Sequence, residues 1–175
     1  LMRSSAASDV YKRQGQYRIK DNFLAFWFRF VYPMRSFIES DHPEIAMTKL
    51  KTGFIPNHVG YVYEDICRQK MWELNAQGKL PFLFDRVGRW WGGKDTEIDI
   101  VAIDTTDRSK IIFGECKFHQ NVPMQLSELH QLKEKAAVVP WGNANRDEYF
   151  ALFCISGYSE DLQQLAQEDS HLLLM

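Results

Sequence analysis

The stretch that decides the fold of this 175-residue chain is EIDIVAIDTTDRSKIIFGECK, residues 97–117. Its two arms, Glu97–Ile103 and Ile111–Lys117, are rich in β-branched residues and alternate or run apolar as strands do. The segment between them, Asp104–Lys110, is dense in residues that favour turns. The stretch therefore predicts a β-hairpin whose arms pair as neighbours.

A turn centred on Asp107 determines which side chains of this hairpin face each other. In that register Asp99 lies opposite Glu115, and Glu97 lies opposite Lys117. Two apolar pairs follow toward the turn: Val101 with Phe113 and Ile103 with Ile111. Because alternate side chains of a strand share a face, all eight are expected on one face.

Two carboxylates opposite each other beside an apolar patch require a compensating charge. Like charges on neighbouring strands destabilise a sheet, and buried charge is costly without a partner. A divalent cation is the simplest partner, since Mg²⁺ binds one or two carboxylates together with water and substrate phosphate. Lys117 lies two residues beyond Glu115 on the same face and could neutralise charge growing on a phosphate. The pattern favours Mg²⁺- or Mn²⁺-dependent phosphodiester hydrolysis.

Simpler interpretations exist for the same residues. Asp99 and Glu115 could be solvated acids at strand ends, although their apolar neighbours favour the ligand interpretation. Glu97 and Lys117 could form an ordinary cross-strand ion pair, which is the favoured interpretation for Glu97. We retain Lys117 as a predicted catalytic residue.

Asp99, followed after fifteen residues by Glu115-Cys116-Lys117, resembles the PD-(D/E)XK signature of restriction enzymes and archaeal Holliday-junction resolvases. The resemblance implies an α/β fold with a restriction-endonuclease-like core, in which helices flank a mixed sheet in the order αβββαβαβ. It also implies that Asp99, Glu115 and the backbone carbonyl of Cys116 bind the metal ion, while Lys117 assists hydrolysis.

In that superfamily an acidic residue on the preceding helix often completes the metal site. The segment GYVYEDIC, residues 60–67, supplies Glu64 at the corresponding place. On a helix, Glu64 shares a stripe with a small or apolar set: Gly60, Cys67, Met71 and Leu74. A carboxylate facing such a surface is costly without a partner, so Glu64 is predicted as a third catalytic metal ligand.

Residues 17–31 and 88–92 are similar to the C-terminal region of archaeal-type AAA+ ATPases, whose nuclease-like tail follows a P-loop domain and a winged helix. The sequence contains no G-x-x-x-x-G-K-[ST] phosphate loop, so no ATP site is expected in this chain. The resemblance implies missing upstream winged-helix and ATPase domains as partners, with Tyr17–Lys20 as the last strand of the winged helix.

Three regions are expected along the chain. Residues 1–16 are interpreted as a non-native or disordered leader, 17–56 as a helical remnant of a winged-helix linker, and 57–175 as the nuclease-like domain. Helices are expected near residues 23–32, 43–54, 59–77, 123–139 and 160–167. Strands are expected near residues 80–91, 97–104, 110–118, 149–155 and 171–174.

Composition is that of a globular domain, with 45% hydrophobic residues and a net charge of −2. The near-neutral balance argues mildly against tight nonspecific nucleic-acid binding. Three cysteines without a C-x-x-C pair suggest a reducing compartment, and we expect the cytoplasm. The apolar run at residues 23–31 is too short to cross a membrane.

Other residues are assigned lesser roles. Arg89 and Lys135 are candidates for phosphate contacts. An aromatic stripe has helical spacing and predicts core packing rather than base stacking: Phe23, Phe26, Trp27 and Phe30.

Three functions remain open at this point. The first is a metal-dependent DNA endonuclease domain, with nucleic acid as its partner. The second is a noncatalytic module that binds DNA or docks partners and regulates the ATPase. The third is a structural tail that forms homo-oligomers.

Overall fold

The computed structural model describes residues 19–92, 96–142 and 145–175, and the chain divides into two compact units, one ending at Val62 and one starting at Tyr63. The predicted leader at 1–16 and the first half of the predicted strand Tyr17–Lys20 lie outside the described residues. Among the described residues, no helix is long and apolar enough to cross a membrane.

The first unit is built from short helical segments. They are α1 (Asn22–Phe26), a π-helical turn (Trp27–Val31), a 3₁₀ turn (Tyr32–Met34), α2 (Arg35–Glu39), α3 (Pro43–Phe54) and a second π-helical turn (Ile55–Val59). Asp21 caps α1 by accepting a hydrogen bond from the Leu24 amide at 2.8 Å. The expected end of the first helix near residue 32, directly before Pro33, is wrong. Proline fits the first turn of a helix, where its missing N–H is not needed, and the chain stays helical to Glu39.

An aromatic cluster organises this unit. The rings of Phe26, Phe30 and Phe54 lie 5.7 to 6.1 Å apart, and the His58 imidazole stacks on Phe54 at 5.5 Å. Predicted packing is therefore confirmed for Phe26 and Phe30. It is wrong for Phe23 and Trp27, whose relative exposures are 66% and 40%.

The second unit is a five-stranded mixed sheet with helices, as the α/β prediction requires. Its strands are β1 (Arg86–Gly92), β2 (Thr96–Ile103), β3 (Lys110–Lys117), β4 (Asp147–Cys154) and β5 (Leu172–Leu174), in the order β1-β2-β3-β4-β5. The pairs β1–β2 and β2–β3 are antiparallel, whereas β3–β4 and β4–β5 are parallel. The helices are α4 (Gly60–Ala76), which begins in the first unit, α5 (Leu126–Ala137) and α6 (Glu160–Glu168).

The first strand is shorter than the expected range of residues 80–91, because the segment before it bonds to a helix. The Asn75 side chain on α4 accepts a hydrogen bond from the Phe84 amide and donates one to the Phe84 carbonyl, both at 3.0 Å. These bonds satisfy both backbone groups of Phe84 outside the sheet. Pairing therefore starts only at Arg86.

Two apolar layers cover the faces of the sheet. Ile111 and Phe113 of β3 belong to the layer that includes Leu129 and Leu132 of α5. The other layer contains Ile100, Ala102, Ile112 and Ala151 with Cys67 and Met71 of α4. Since β3 is buried on both sides, the segment that carries Glu115 is held by both layers.

Gly114 allows β2 and β4 to approach β3 next to Glu115. A Cβ at Gly114 would lie 2.9 Å from the Ile100 Cβ and 3.1 Å from the Ala151 carbonyl oxygen. We expect Gly114→Ala to lower the free energy of unfolding by roughly 1–3 kcal/mol, measured in urea, because the backbone must shift. Gly88→Ala is the matched control, since its Cβ would meet nothing within 4 Å. Equal effects of the two substitutions would contradict the packing argument.

Candidate functional site

The hairpin register predicted from the sequence is confirmed for its two apolar pairs, whereas Asp99–Glu115 and Glu97–Lys117 are not paired in the ladder. Val101 pairs with Phe113, and Ile103 pairs with Ile111. The β2–β3 ladder ends at the Ile100–Gly114 pair, directly before Asp99 and Glu115. The two acids therefore follow the last paired residues of the hairpin, where the backbones are free to diverge.

A β-bulge lies where β2 pairs with β1. It changes the face of the sheet on which the first side chains of β2 lie, relative to the prediction. Gly88 pairs with Val101 and Trp90 pairs with Ile98, so Arg89 alone lies opposite Asp99 and Ile100. An extra residue reverses the alternation of side chains beyond it. Ile98 accordingly belongs to the layer of Val101, and the prediction that Glu97 shares a face with the other seven residues is wrong.

Asp99 is held at this bulge through its side chain and its backbone. Its Oδ2 accepts a hydrogen bond from the Cys116 amide at 2.9 Å, which ties the carboxylate to β3. Its carbonyl accepts a hydrogen bond from Arg68 Nη1 of α4 at 3.2 Å. The bulge carbonyl thereby gains a partner outside the sheet, so the backbone of Asp99 is held by α4 and its carboxylate by β3.

Burial raises the pKa of the Asp99 carboxyl above its ordinary value, and the charge of Glu115 raises it further. The Cys116 amide, Arg89 and Lys117 act in the opposite direction without cancelling the rise. The ionised pair of acids is therefore costly to the folded chain, and a bound cation would relieve that cost.

Two lysine ammonium groups form ion pairs with the buried Glu115 carboxylate. Lys117 Nζ lies 2.8 Å from Glu115 Oε1, and Lys135 Nζ of α5 lies 3.0 Å from Oε2. Burial by itself would lower the pKa of Lys117, but the hydrogen bond and charge of Glu115, with Asp99, outweigh it and raise the pKa. Lys117 therefore carries a positive charge at neutral pH.

The Glu64 and Glu97 carboxylates both form ion pairs with Arg89. The Arg89 guanidinium forms an ion pair with Glu64 and another with Glu97 at 2.9 Å, and Arg68 lies 3.8 Å from Glu64. Arg89 and Glu64 are largely buried, with side-chain exposures of 12% and 14%. Within the described ranges no Glu97–Lys117 ion pair forms, because the bulge turns Glu97 toward Arg89.

Arg68 was missed by the sequence interpretation. It forms an ion pair with Asp65, three residues earlier on α4, and it reaches the backbone of Asp99. The available signal was its i,i+3 and i,i+4 spacing from Asp65 and Glu64, which is typical of helix ion pairs. That spacing does not reveal the contact with β2, since the contact depends on the tertiary fold.

Two groups of predicted site residues result. The first group is the acidic pair Asp99 and Glu115, together with Lys117 and Lys135, which form ion pairs with Glu115. Glu64 lies instead with Arg89. No group of three or more His, Cys, Asp or Glu side chains that could hold a metal ion occurs among the residues the structure describes. The ligand roles of Glu64 and of the Cys116 carbonyl stay predictions.

The Cys116 thiol and the Tyr63 hydroxyl beside the site are protonated. A hydrogen bond with Cys67 and burial raise the pKa of the Cys116 thiol, and burial raises the pKa of the Tyr63 hydroxyl. The Tyr63 ring packs edge-on against Phe118 at 5.5 Å. These two groups therefore add no charge to the site at neutral pH.

Removal of the Asp99 charge is expected to stabilise the protein. Asp99→Asn keeps an oxygen for the Cys116 amide but removes the buried charge, so the free energy of unfolding at pH 7 should rise by roughly 0.5–2 kcal/mol. A raised pKa in the folded state favours the protonated acid, so the wild type gains stability as the pH falls through that pKa. The advantage of the variant should therefore shrink in acid. Urea unfolding at several pH values measures it, and an advantage that is constant with pH would refute this explanation.

Comparisons with known proteins place the chain among uncharacterised relatives. A family described as archaea bacterial proteins of unknown function, DUF234, matches residues 27–136. An uncharacterized protein of Methanocaldococcus jannaschii is 33% identical over 144 residues, which cover 82% of this chain and 31% of that protein. The chain thus spans about a third of the length of the curated relative it matches. No solved structure matches.

Proposed function

We propose that this chain, which belongs to the DUF234 family of archaeal and bacterial proteins of unknown function, carries a metal-dependent DNA endonuclease site of the PD-(D/E)XK type. The observation that supports this most directly is the pair Asp99 and Glu115 at the end of the hairpin ladder, with Lys117 bonded to Glu115. Carboxylates from two strands with an adjacent permanent ammonium are the groups that phosphodiester hydrolysis requires.

The residues of the site fit a hard divalent cation. Glu115 is buried and Asp99 partly buried, their mutual repulsion contributes to the raised pKa of Asp99, and a cation between them would remove that repulsion. With the Cys116 carbonyl they would form an all-oxygen donor set, which suits Mg²⁺ or Mn²⁺. When bound, such an ion would polarise a phosphodiester and lower the pKa of water.

The protein side chains would then orient the metal ligands and neutralise the charge of the phosphate. Lys117 stays protonated, so it would stabilise negative charge on the phosphate oxygens or hold the attacking water, without accepting a proton from it. Asp99 would be fixed by the Cys116 amide and Arg68. Arg89, paired with Glu64 and Glu97, is less suited to the phosphate contact predicted for it than Lys135, which has Glu115 as its partner.

The wider assignment is part of the same proposal. We assign this unit to the restriction-endonuclease-like fold and to the cytoplasm, as the C-terminal part of an AAA+ ATPase with upstream winged-helix and ATPase domains. The mixed sheet, in which two antiparallel pairs precede two parallel ones, is consistent with that fold. The greater length of the archaeal relative is consistent with further domains.

A second candidate is a noncatalytic module that binds DNA or docks partners to regulate the ATPase. One observation favours it: both oxygens of Glu115 are already bonded to lysines, and Glu64 is already paired with Arg89. A site that is neutralised by its own side chains can exist without a metal ion.

Calorimetry with Mn²⁺ on the wild type and on an Asp99→Ala, Glu115→Ala double variant separates the two candidates. We expect binding that the double variant loses, together with Mn²⁺-dependent cleavage of supercoiled or branched DNA. Lys110→Met, at the opposite end of β3, serves as a control that should retain both properties. A folded wild type that binds no Mn²⁺ would support the noncatalytic module.

A further inference from the structure

We propose that Lys135 is an internal counter-cation, which occupies Glu115 Oε2 until a divalent cation replaces it and then turns to a substrate phosphate. This inference rests on the proposed metal site. It assigns to a helix residue a role that links metal binding to nucleic-acid binding.

The geometry at Glu115 leaves little room for an additional cation. Both carboxylate oxygens have an ammonium group within 3.0 Å, and the Glu115 side chain is only 8% exposed. An incoming metal ion must therefore displace at least one lysine from a buried oxygen. Breaking a charge-assisted hydrogen bond costs free energy, and that cost is subtracted from the metal affinity.

Lys135 is the lysine more easily displaced. Lys117 lies on β3 two residues from Glu115 and is also attracted by the charge of Asp99. Lys135 extends from the last turn of α5, and among the residues the structure describes its ammonium group pairs with Glu115. Near the C-terminus of the helix, a cation remains favoured by the helix dipole after it leaves Glu115.

The charges of the site are consistent with this exchange. Asp99 and Glu115 carry two negative charges, which Lys117 and Lys135 balance. A divalent cation leaves the group with an excess of two positive charges. A phosphodiester and an attacking hydroxide together supply two negative charges, so a displaced Lys135 has a phosphate to pair with.

Removal of Lys135 is therefore expected to change two affinities in opposite directions. Calorimetry should show Mn²⁺ binding to Lys135→Met that is roughly three- to thirtyfold tighter than to the wild type, since no hydrogen bond must be broken at Oε2. Fluorescence anisotropy in Ca²⁺ should show weaker binding of a short DNA duplex by the same variant, with a smaller dependence on salt. Lys135→Arg, which keeps the charge, should not bind Mn²⁺ more tightly than the wild type.

Lys133→Met is the matched control on the same helix, because Lys133 lies over the Phe150 ring and not at Glu115. It should leave Mn²⁺ affinity unchanged. Mn²⁺ binding to the wild type with no gain in Lys135→Met, or no loss of DNA binding in that variant, overturns the inference and leaves the metal site standing. Mn²⁺ binding to Lys135→Met alone supports the inference in its strongest form. Absence of binding in both proteins overturns this inference and the proposed function together.

Discussion

Replacement of Lys117 by Met is expected to slow Mn²⁺-dependent DNA cleavage by roughly 10²–10³-fold, the usual cost of removing one group that stabilises charge in a transition state. Methionine is similar in length and apolar, so it keeps the packing of the stem but removes the ammonium group that contacts Glu115 Oε1. Single-turnover cleavage of supercoiled DNA at saturating Mn²⁺ measures the chemical step.

The loss should appear in the rate and not in metal binding. Because Lys117 competes for a Glu115 oxygen, its removal should leave Mn²⁺ affinity equal or higher. Lys110→Met provides the control for a Lys-to-Met change in the same strand. The charge and hydrogen bond of Glu115 raise the pKa of Lys117, so its ammonium group is charged at neutral pH before metal binds. Unchanged cleavage by Lys117→Met would remove this residue from the mechanism.

Elements with strong local signals were predictable from the sequence. The turn formers around Asp107 fixed the register of the hairpin, because one slipped residue would expose every buried side chain of the strands. Leu129, Leu132 and Ala136, at helical spacing before Pro140, marked α5 and its buried face. The register predicted that Asp99 lies beside β3, but not that its carboxylate accepts a hydrogen bond from the Cys116 amide.

Features that depend on tertiary contacts were not predictable. The bulge at Asp99 and Ile100 has no local signature, and it redirected Glu97 from Lys117 to Arg89. The stripe position of Glu64 indicated correctly that its carboxylate is buried, but the sequence could not identify Arg89 as its partner. A buried acid near a predicted metal site can be satisfied by a guanidinium or by a cation, and hydrophobic periodicity does not distinguish them.

Replacement of Arg89 by Met is expected to lower the free energy of unfolding by roughly 2–4 kcal/mol, near the cost of removing one partner from a buried ion pair. Among the described residues, Glu64 would lose its main partner and keep Arg68, at 3.8 Å. The exposure of Glu97 limits its share of the loss, since water can solvate it. Urea unfolding at pH 7 without metal measures the effect.

The double variant Arg89→Met, Glu64→Gln tests whether the loss comes from an unpaired charge. It should be more stable than Arg89→Met alone, because the buried carboxylate is gone; equal stability would show that the packing of Arg89 was responsible. The same pair of variants tests the predicted ligand role of Glu64. If Glu64 can bind metal once Arg89 leaves it, Mn²⁺ should stabilise Arg89→Met more than the wild type, and the double variant should lose that gain. If the gain is absent, Glu64 is a structural anion that holds Arg89 against β2, and the metal site consists of Asp99, Glu115 and backbone or water oxygens.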